Sequence, residues 1–204
     1  MNFRIENKYL IDNSKLYQLY SFIQKNFGKT LFPKRDITSI YFDNHKFDSY
    51  NDSIEGTVPR KKIRARFYNF KNLDIKTFLN KTVNFEIKIN SPIGKLKDSF
   101  KCLDLSRKLK NGYYDEIYGN CKPVVVTNYK REYYELFNVR LTIDTNLRYS
   151  MYNKYKNNFR SNQSIIFEIK SNNTELSNYI DEKFFFQKIR FSKYCNAIEE
   201  FNLN

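Results

Sequence analysis

The chain has 204 residues, a formal net charge of +14 and 18% aromatic residues; that length fits one domain spanning 1–204 around a single core, and no apolar run approaches the roughly 20 residues of a membrane span. So large a positive charge makes a polyanion the first partner to consider, with nucleic acid, an anionic membrane and polyphosphate all qualifying. The single histidine, His45, and three cysteines without CxxC spacing argue against zinc sites, a disulfide framework and Ser-His or Cys-His nucleophiles.

A strand-like start at Phe3 leaves no room for a signal peptide, so a cytoplasmic protein is expected. Cys102, Cys121 and Cys195 read as reduced packing residues. Any metal is expected to be a hard, oxygen-bound ion such as Mg²⁺ or Mn²⁺.

Taken in chain order, the first element alternates apolar and charged residues: Phe3-Arg4-Ile5-Glu6-Asn7-Lys8 puts Arg4, Glu6 and Lys8 on one strand face. Leu16, Leu19, Ile23 and Phe27 have helical spacing, opened by Ser14 and stopped near Gly28. Thr38 to Phe42 reads as a strand whose faces do not separate cleanly. Ile63-Arg64-Ala65-Arg66-Phe67 and Val83-Asn84-Phe85-Glu86-Ile87-Lys88-Ile89 then resume the alternation, with an Asn- and Lys-rich stretch at 69–82 between them that reads as an exposed loop. A weak helical pattern follows at 104–118, broken by Asn111-Gly112. The segments 124–126 and 129–133 read as strands, and Val139-Arg140-Leu141-Thr142-Ile143-Asp144 and Ile165-Ile166-Phe167-Glu168-Ile169-Lys170 alternate again around a loop at 153–164. Thr174 is positioned to cap a helix through Leu176 and Ile180, and Ser192 one through Tyr194, Ile198 and Phe201.

Each charged strand face, taken alone, suits the solvated side of a half-buried antiparallel sheet. Together they pair Arg with Arg and Glu with Lys at i, i+2, and their opposite faces carry large apolar residues that must be covered. An α+β fold is expected: a closed antiparallel β-barrel with a few helices packed outside, its charged faces turned into a lumen. Like charges about 5 Å apart repel by roughly 3 kcal/mol at an effective dielectric near 20, so such a lumen is expected to be strained until an anion fills it. A linear phosphate chain suits a row of Arg and Lys better than a compact ligand does.

In their shared order these motifs resemble the vacuolar transporter chaperone (VTC) domain, the polyphosphate polymerase branch of the triphosphate tunnel metalloenzymes. The resemblance runs through Phe3–Tyr9, Ser39–Asp43, Arg60–Tyr68, Phe85–Lys88, Lys122-Pro123, Tyr129–Arg131, Val139–Asp144, Phe167–Lys170 and Phe191–Tyr194. It implies that Lys8, Arg64, Arg66, Lys88, Arg131, Arg140 and Lys193 line the tunnel and act on phosphates. It further implies that Tyr129, Ser192, Arg4 and Lys170 add phosphate contacts, and that Glu168, with Glu6, holds Mn²⁺ or Mg²⁺. Ser192-Lys193 at a helix start independently favours an anion, while Glu168 and Glu6 also suit plain salt bridges to Lys170, Arg4 or Lys8.

Hydrolytic relatives typically open with Glu-x-Glu-x-Lys, and here Arg4 stands at the first carboxylate position. That exchange removes a metal ligand and moves the site away from water activation. The implied function is therefore a metal-dependent polyphosphate polymerase fed by ATP or another nucleoside triphosphate. An inorganic triphosphatase or nucleoside triphosphatase on the same fold is the second reading, and a non-catalytic polyphosphate-binding module the third. Nucleic-acid binding is the outside reading, since the cations sit at regular strand spacing and not in a basic tail. The roles of Lys95, Lys97 and Lys101 after Lys88 stay open.

Overall fold

A computed structural model describes residues 5–69, 83–92, 94–154, 159–171 and 174–203. Arg4, residues 70–82 of the loop expected at 69–82 and residues 155–158 of the one expected at 153–164 lie outside them. The strands are β1 (Ile5–Ile11), β2 (Lys29–Asp43), β3 (Arg60–Tyr68), β4 (Val83–Ser91), β5 (Gly94–Cys102), β6 (Tyr113–Asp115), β7 (Gly119–Leu136), β8 (Val139–Met151), β9 (Arg160–Asn162), β10 (Ile165–Ser171) and β11 (Gln187–Lys188). The helices are α1 (Asn13–Lys25), α2 (Asp48–Glu55), α3 (Leu105–Asn111), α4 (Glu175–Phe184) and α5 (Lys193–Glu200). No helix among the described residues is long and apolar enough to cross a membrane.

The α+β class stands, but the expected closed barrel does not: among the described residues the strands pair in the order β11-β1-β10-β8-β7-β2-β3-β4-β5, which leaves β11 and β5 as edges. Closure was expected because the apolar faces need cover and edges invite aggregation. The chain meets both needs otherwise. Helices cover the apolar faces, and the edges are blunted by shortness in β11 and by exposed charge in β5, where Lys97 and Lys101 lie.

The chain divides into two compact units, the first comprising 1–36, 129–147 and 161–191, the second 37–128, 148–160 and 192–204. In the first, Tyr9, Leu141, Ile143, Phe167 and Ile169 on the strands pack with Leu19, Phe22 and Ile23 of α1 and Leu176 and Ile180 of α4. In the second, Ile40, Phe42, Ile63, Ala65, Phe85 and Ile87 pack with Leu105 and Leu109 of α3. Both cores use the apolar half of the alternating strands, so the charged half of each strand faces the other way.

Local chemistry sets the helix ends. The cap of α1 is Asp12, whose carboxylate accepts from the Lys15 amide at 2.8 Å, in place of the expected Ser14. The chain turns at Gly28, whose N–H reaches the Ile23 carbonyl at 2.8 Å; a Cβ there would lie 2.5 Å from Ile23 Cγ2. The weak pattern at 104–118 forms only α3, which stops at Gly112 with φ +93°. Helix α2 lacks an apolar stripe and was not expected; the Asp43 carboxylate accepts from the Ser49 and Tyr50 amides at 3.1 and 3.0 Å and so caps it from outside.

Candidate phosphate-binding site

In the second unit the register of β3, β4 and β5 builds the charged face row by row. Lys62 lies opposite Lys88, and Lys88 opposite Lys97. The next row is Tyr41, Arg64, Glu86 and Ser99, and the one beyond it Ser39, Arg66, Asn84 and Lys101. Like charges directly opposite one another destabilise a sheet, so a row of lysines across three strands favours a bound anion.

Glu86 is the carboxylate at the centre of this face and is 1% exposed. It accepts from Arg64 Nη2 at 2.6 Å and Lys97 Nζ at 2.7 Å, with Arg66 Nη1 at 3.5 Å. Burial opposes its ionisation, but Arg64, Arg66 and Lys97 outweigh burial and hold its pKa at about 2. The strain expected of an unfilled face is therefore offset in part by the protein's own carboxylate, which corrects the view that only a ligand relieves it.

Arg64 also donates from Nη1 to the Tyr41 hydroxyl at 3.1 Å. Burial alone would raise the Tyr41 pKa, yet Arg64, Arg66 and Lys193 together bring it below the ordinary phenol value. Lys193 thus belongs to the same positive environment. Tyr41 stacks on Tyr194 of α5 at 5.2 Å, and the Tyr194 hydroxyl donates to the buried Asp43 carboxylate. Ser192 caps α5, accepting from the Cys195 amide at 3.3 Å, and also accepts from Lys62 Nζ at 2.9 Å.

The first unit holds a different arrangement. Arg131 forks onto Asp144, with Nε to Oδ1 at 2.5 Å and Nη2 to Oδ2 at 2.6 Å, and lies 3.7 Å from Glu168 Oε2. Burial disfavours the Arg131 charge, but Asp144, Tyr129 and Glu168 raise its pKa well above the ordinary value. Lys170 Nζ stands between two carboxylates, 3.4 Å from Glu6 Oε1 and 3.6 Å from Glu168 Oε1. Lys8, in register with Glu168, donates to the Phe191 carbonyl at 2.7 Å. Tyr129 is 1% exposed and lies under the Arg131 guanidinium, 5.3 Å from ring centroid to Cζ. Arg140 Nε is a buried donor with no acceptor among the described residues, a group that an anion or water would satisfy.

The structure therefore brings Arg64, Arg66, Lys88, Ser192 and Lys193 into the second unit, and Lys8, Arg131, Arg140, Tyr129, Lys170, Glu168 and Glu6 into the first. Sequence reasoning missed Lys62, although it shares the period-two face of Arg64 and Arg66. It also missed Asp144 as the partner of Arg131, and Lys97 as the partner of Glu86.

Among the described residues no group of at least 3 His, Cys, Asp or Glu is placed to hold a metal. Glu6 and Glu168 nonetheless converge on one cation, the Lys170 ammonium. Two carboxylates around a positive charge fit Mg²⁺ or Mn²⁺ of the kind completed by water and substrate phosphates; they do not fit an all-protein cage.

The sequence profile of the VTC domain matches residues 3–202. No curated protein matches in sequence. Among solved structures, HpAC1 from Hippeastrum, a candidate adenylyl cyclase described as having a dominant triphosphatase activity, superposes with a TM-score of 0.59 at 14% identity over 98% of this chain and 96% of its own. PH1819 from Pyrococcus horikoshii gives 0.58 at 14% over 97% and 99%. A candidate adenylate cyclase from Vibrio parahaemolyticus gives 0.53 at 11% over 97% and 98%. At such identities these likenesses show a shared fold. The profile match, running through every strand that carries the charged faces, shows that this chain belongs to the VTC domain family.

Proposed function

We propose that the chain is a metal-dependent polyphosphate polymerase that moves the terminal phosphate of ATP, or another nucleoside triphosphate, onto the end of a growing polyphosphate chain. The observation that carries this reading is the face of the second unit, where Lys62, Lys88 and Lys97 stand in one row beside Arg64 and Arg66. Family membership agrees with it.

In the transfer, an oxygen of the chain's end phosphate forms a bond to the γ-phosphorus, while the bond from that phosphorus to the β,γ-bridging oxygen breaks and its electron pair leaves with ADP. The nucleophile is already an anion, so no side chain need remove a proton. Arg64, Arg66, Lys88 and Lys193 are assigned to hold phosphates and to stabilise the charge spread over the equatorial oxygens of a loose transition state. In the first unit, Arg140 offers its unsatisfied Nε–H to an anion. Glu168 and Glu6 are the residues that would hold Mn²⁺ or Mg²⁺, which when bound supplies charge neutralisation between phosphate oxygens.

The triphosphatase activity of the Hippeastrum protein favours a second reading, hydrolysis on the same fold. Incubation with ATP and Mn²⁺ separates the two. The polymerase reading expects ADP and long-chain polyphosphate with little free phosphate, and expects Glu168→Gln to lower synthesis by orders of magnitude while preformed polyphosphate still binds. Free phosphate as the main product would replace it with the triphosphatase. Tight polyphosphate binding without turnover would leave a binding module.

A further inference from the structure

Ser192 is half-buried at the start of α5, and its Oγ receives hydrogen bonds from two donors, the Cys195 amide at 3.3 Å and Lys62 Nζ at 2.9 Å. A hydroxyl has one hydrogen to donate and two lone pairs to accept with. With both lone pairs taken, its hydrogen must point in a third direction, where no acceptor among the described residues takes it and one brought by a ligand can. An ammonium offers only donors, so neither Lys62 nor Ser192 has a lone pair left for a ligand hydrogen.

We propose that Lys62 is a positioning residue that makes Ser192 an obligate donor, so that this place takes fully ionised phosphate oxygens and rejects protonated ones. The inference rests on the phosphate-binding reading above and deepens it by naming what selects the ionisation state of the ligand. A P–OH group arriving between Ser192 and Lys62 would meet only donors in those two residues and leave a hydrogen of its own unsatisfied by them. The second ionisation of a terminal phosphate falls near pH 6, so the selection acts within an ordinary working range.

The groups that face Lys62 are Arg60 on its own strand, Lys88 on β4, Tyr41 on β2 and Cys195 on α5, whose Sγ is 3.9 Å away. Burial draws the Lys62 pKa below its ordinary value, with Lys88 and Arg60 adding to the shift and Cys195 and Tyr41 opposing it. A polyanion on this face pulls it back up. Ligand binding and the donor-only form of Lys62 therefore reinforce each other.

The test is a double-mutant cycle read by calorimetric titration of inorganic tripolyphosphate into the metal-free full chain at about pH 7.5 and about pH 5.5, either side of the phosphate ionisation. Lys62→Met and Ser192→Ala are each expected to weaken binding about tenfold, and the double variant also by only about tenfold, because one contact is lost in all three. Lys62→Arg, which keeps a donor, should stay within a few-fold of the unaltered chain. Acidification should weaken the unaltered chain more than Lys62→Met. Independent losses that multiply to about a hundredfold in the double variant, or parallel acid profiles, would overturn the proposal while leaving phosphate binding intact. No binding by the unaltered chain would instead remove the phosphate reading and this inference with it. Lys62→Met loses a desolvated charge and should fold; if its ligand-free melting shows otherwise, Lys62→Gln carries the same cycle.

Discussion

The charged faces of the two units use the same alternation in sequence and reach different electrostatic ends. In the first unit Arg131 and Lys170 are interlocked with Asp144, Glu168 and Glu6, so cations and carboxylates largely neutralise one another. In the second, Glu86 sits among Arg64, Arg66 and Lys97, with Lys62 and Lys88 in the adjoining row. A matched cluster holds a structure together and can hold a metal; a face on which lysines stand directly opposite one another favours an anion. Strand periodicity alone cannot tell these apart, because the difference lies in which cross-strand neighbour carries the opposite charge.

The sharpest way to break that comparison is Asp144→Asn. Arg131 and Asp144 are 8% and 1% exposed, so the substitution leaves a buried guanidinium beside a neutral amide. Breaking such a pair costs about 3–5 kcal/mol, and the nearby Glu168 should keep the loss toward the lower end. Denaturant unfolding of the ligand-free chain checks it; an unchanged midpoint would mean that the first unit's ion pairs are not structural.

Glu86 gives a smaller effect with a definite pH window. Its pKa is lowered on folding from the ordinary 4.5 to about 2. Its contribution is therefore fully present above the unfolded value and is lost as the pH falls from about 5 toward 2, amounting to roughly 3 kcal/mol. Glu86→Gln should flatten the stability profile across that window. It should also make the ligand-free chain less stable at neutral pH and tighten tripolyphosphate binding, since the surrounding cations lose their internal counter-ion. Unchanged acid sensitivity would show that another carboxylate governs it.

Smallest of all should be Lys34→Ala. Lys34 reaches Glu132 at 2.7 Å, but its side chain is 51% exposed. Such exposed pairs contribute about 0–1 kcal/mol. Melting is expected to shift by little more than measurement error, and a large loss would show that exposure is a poor guide to these pairs.

Much of the fold was legible because alternation is a local property: Arg64, Arg66, Glu86, Lys88, Arg140, Glu168 and Lys170 all lie on strands with the apolar partners expected of them. The Ser192 cap was legible too, since capping is written in a single residue type at a helix start. Closure of the sheet was not. It depends on which strands become edges, and the Lys-bearing strand β5, left open between a basic linker and a role in binding, proves to be one. Helix α2 was hidden because its cap, Asp43, lies outside the helix in sequence. The pairing of Arg131 with Asp144 was invisible for a related reason: the hairpin turn at Phe137 and Asn138, both with positive φ, sets a register that single-strand periodicity does not specify.

The most direct test of the central claim is calorimetric titration of tripolyphosphate into the unaltered chain and the variants Arg64→Ala and Arg66→Ala, with single-stranded RNA as a control polyanion. The account predicts that each substitution weakens tripolyphosphate binding by about 1.5–3 kcal/mol, the worth of a hydrogen bond to a charged group. Glu86 should stay paired through the remaining arginine and Lys97, and RNA should bind far more weakly than tripolyphosphate. Wild-type affinity in both variants, or equal binding of RNA and tripolyphosphate, would contradict the assignment of this face to phosphate.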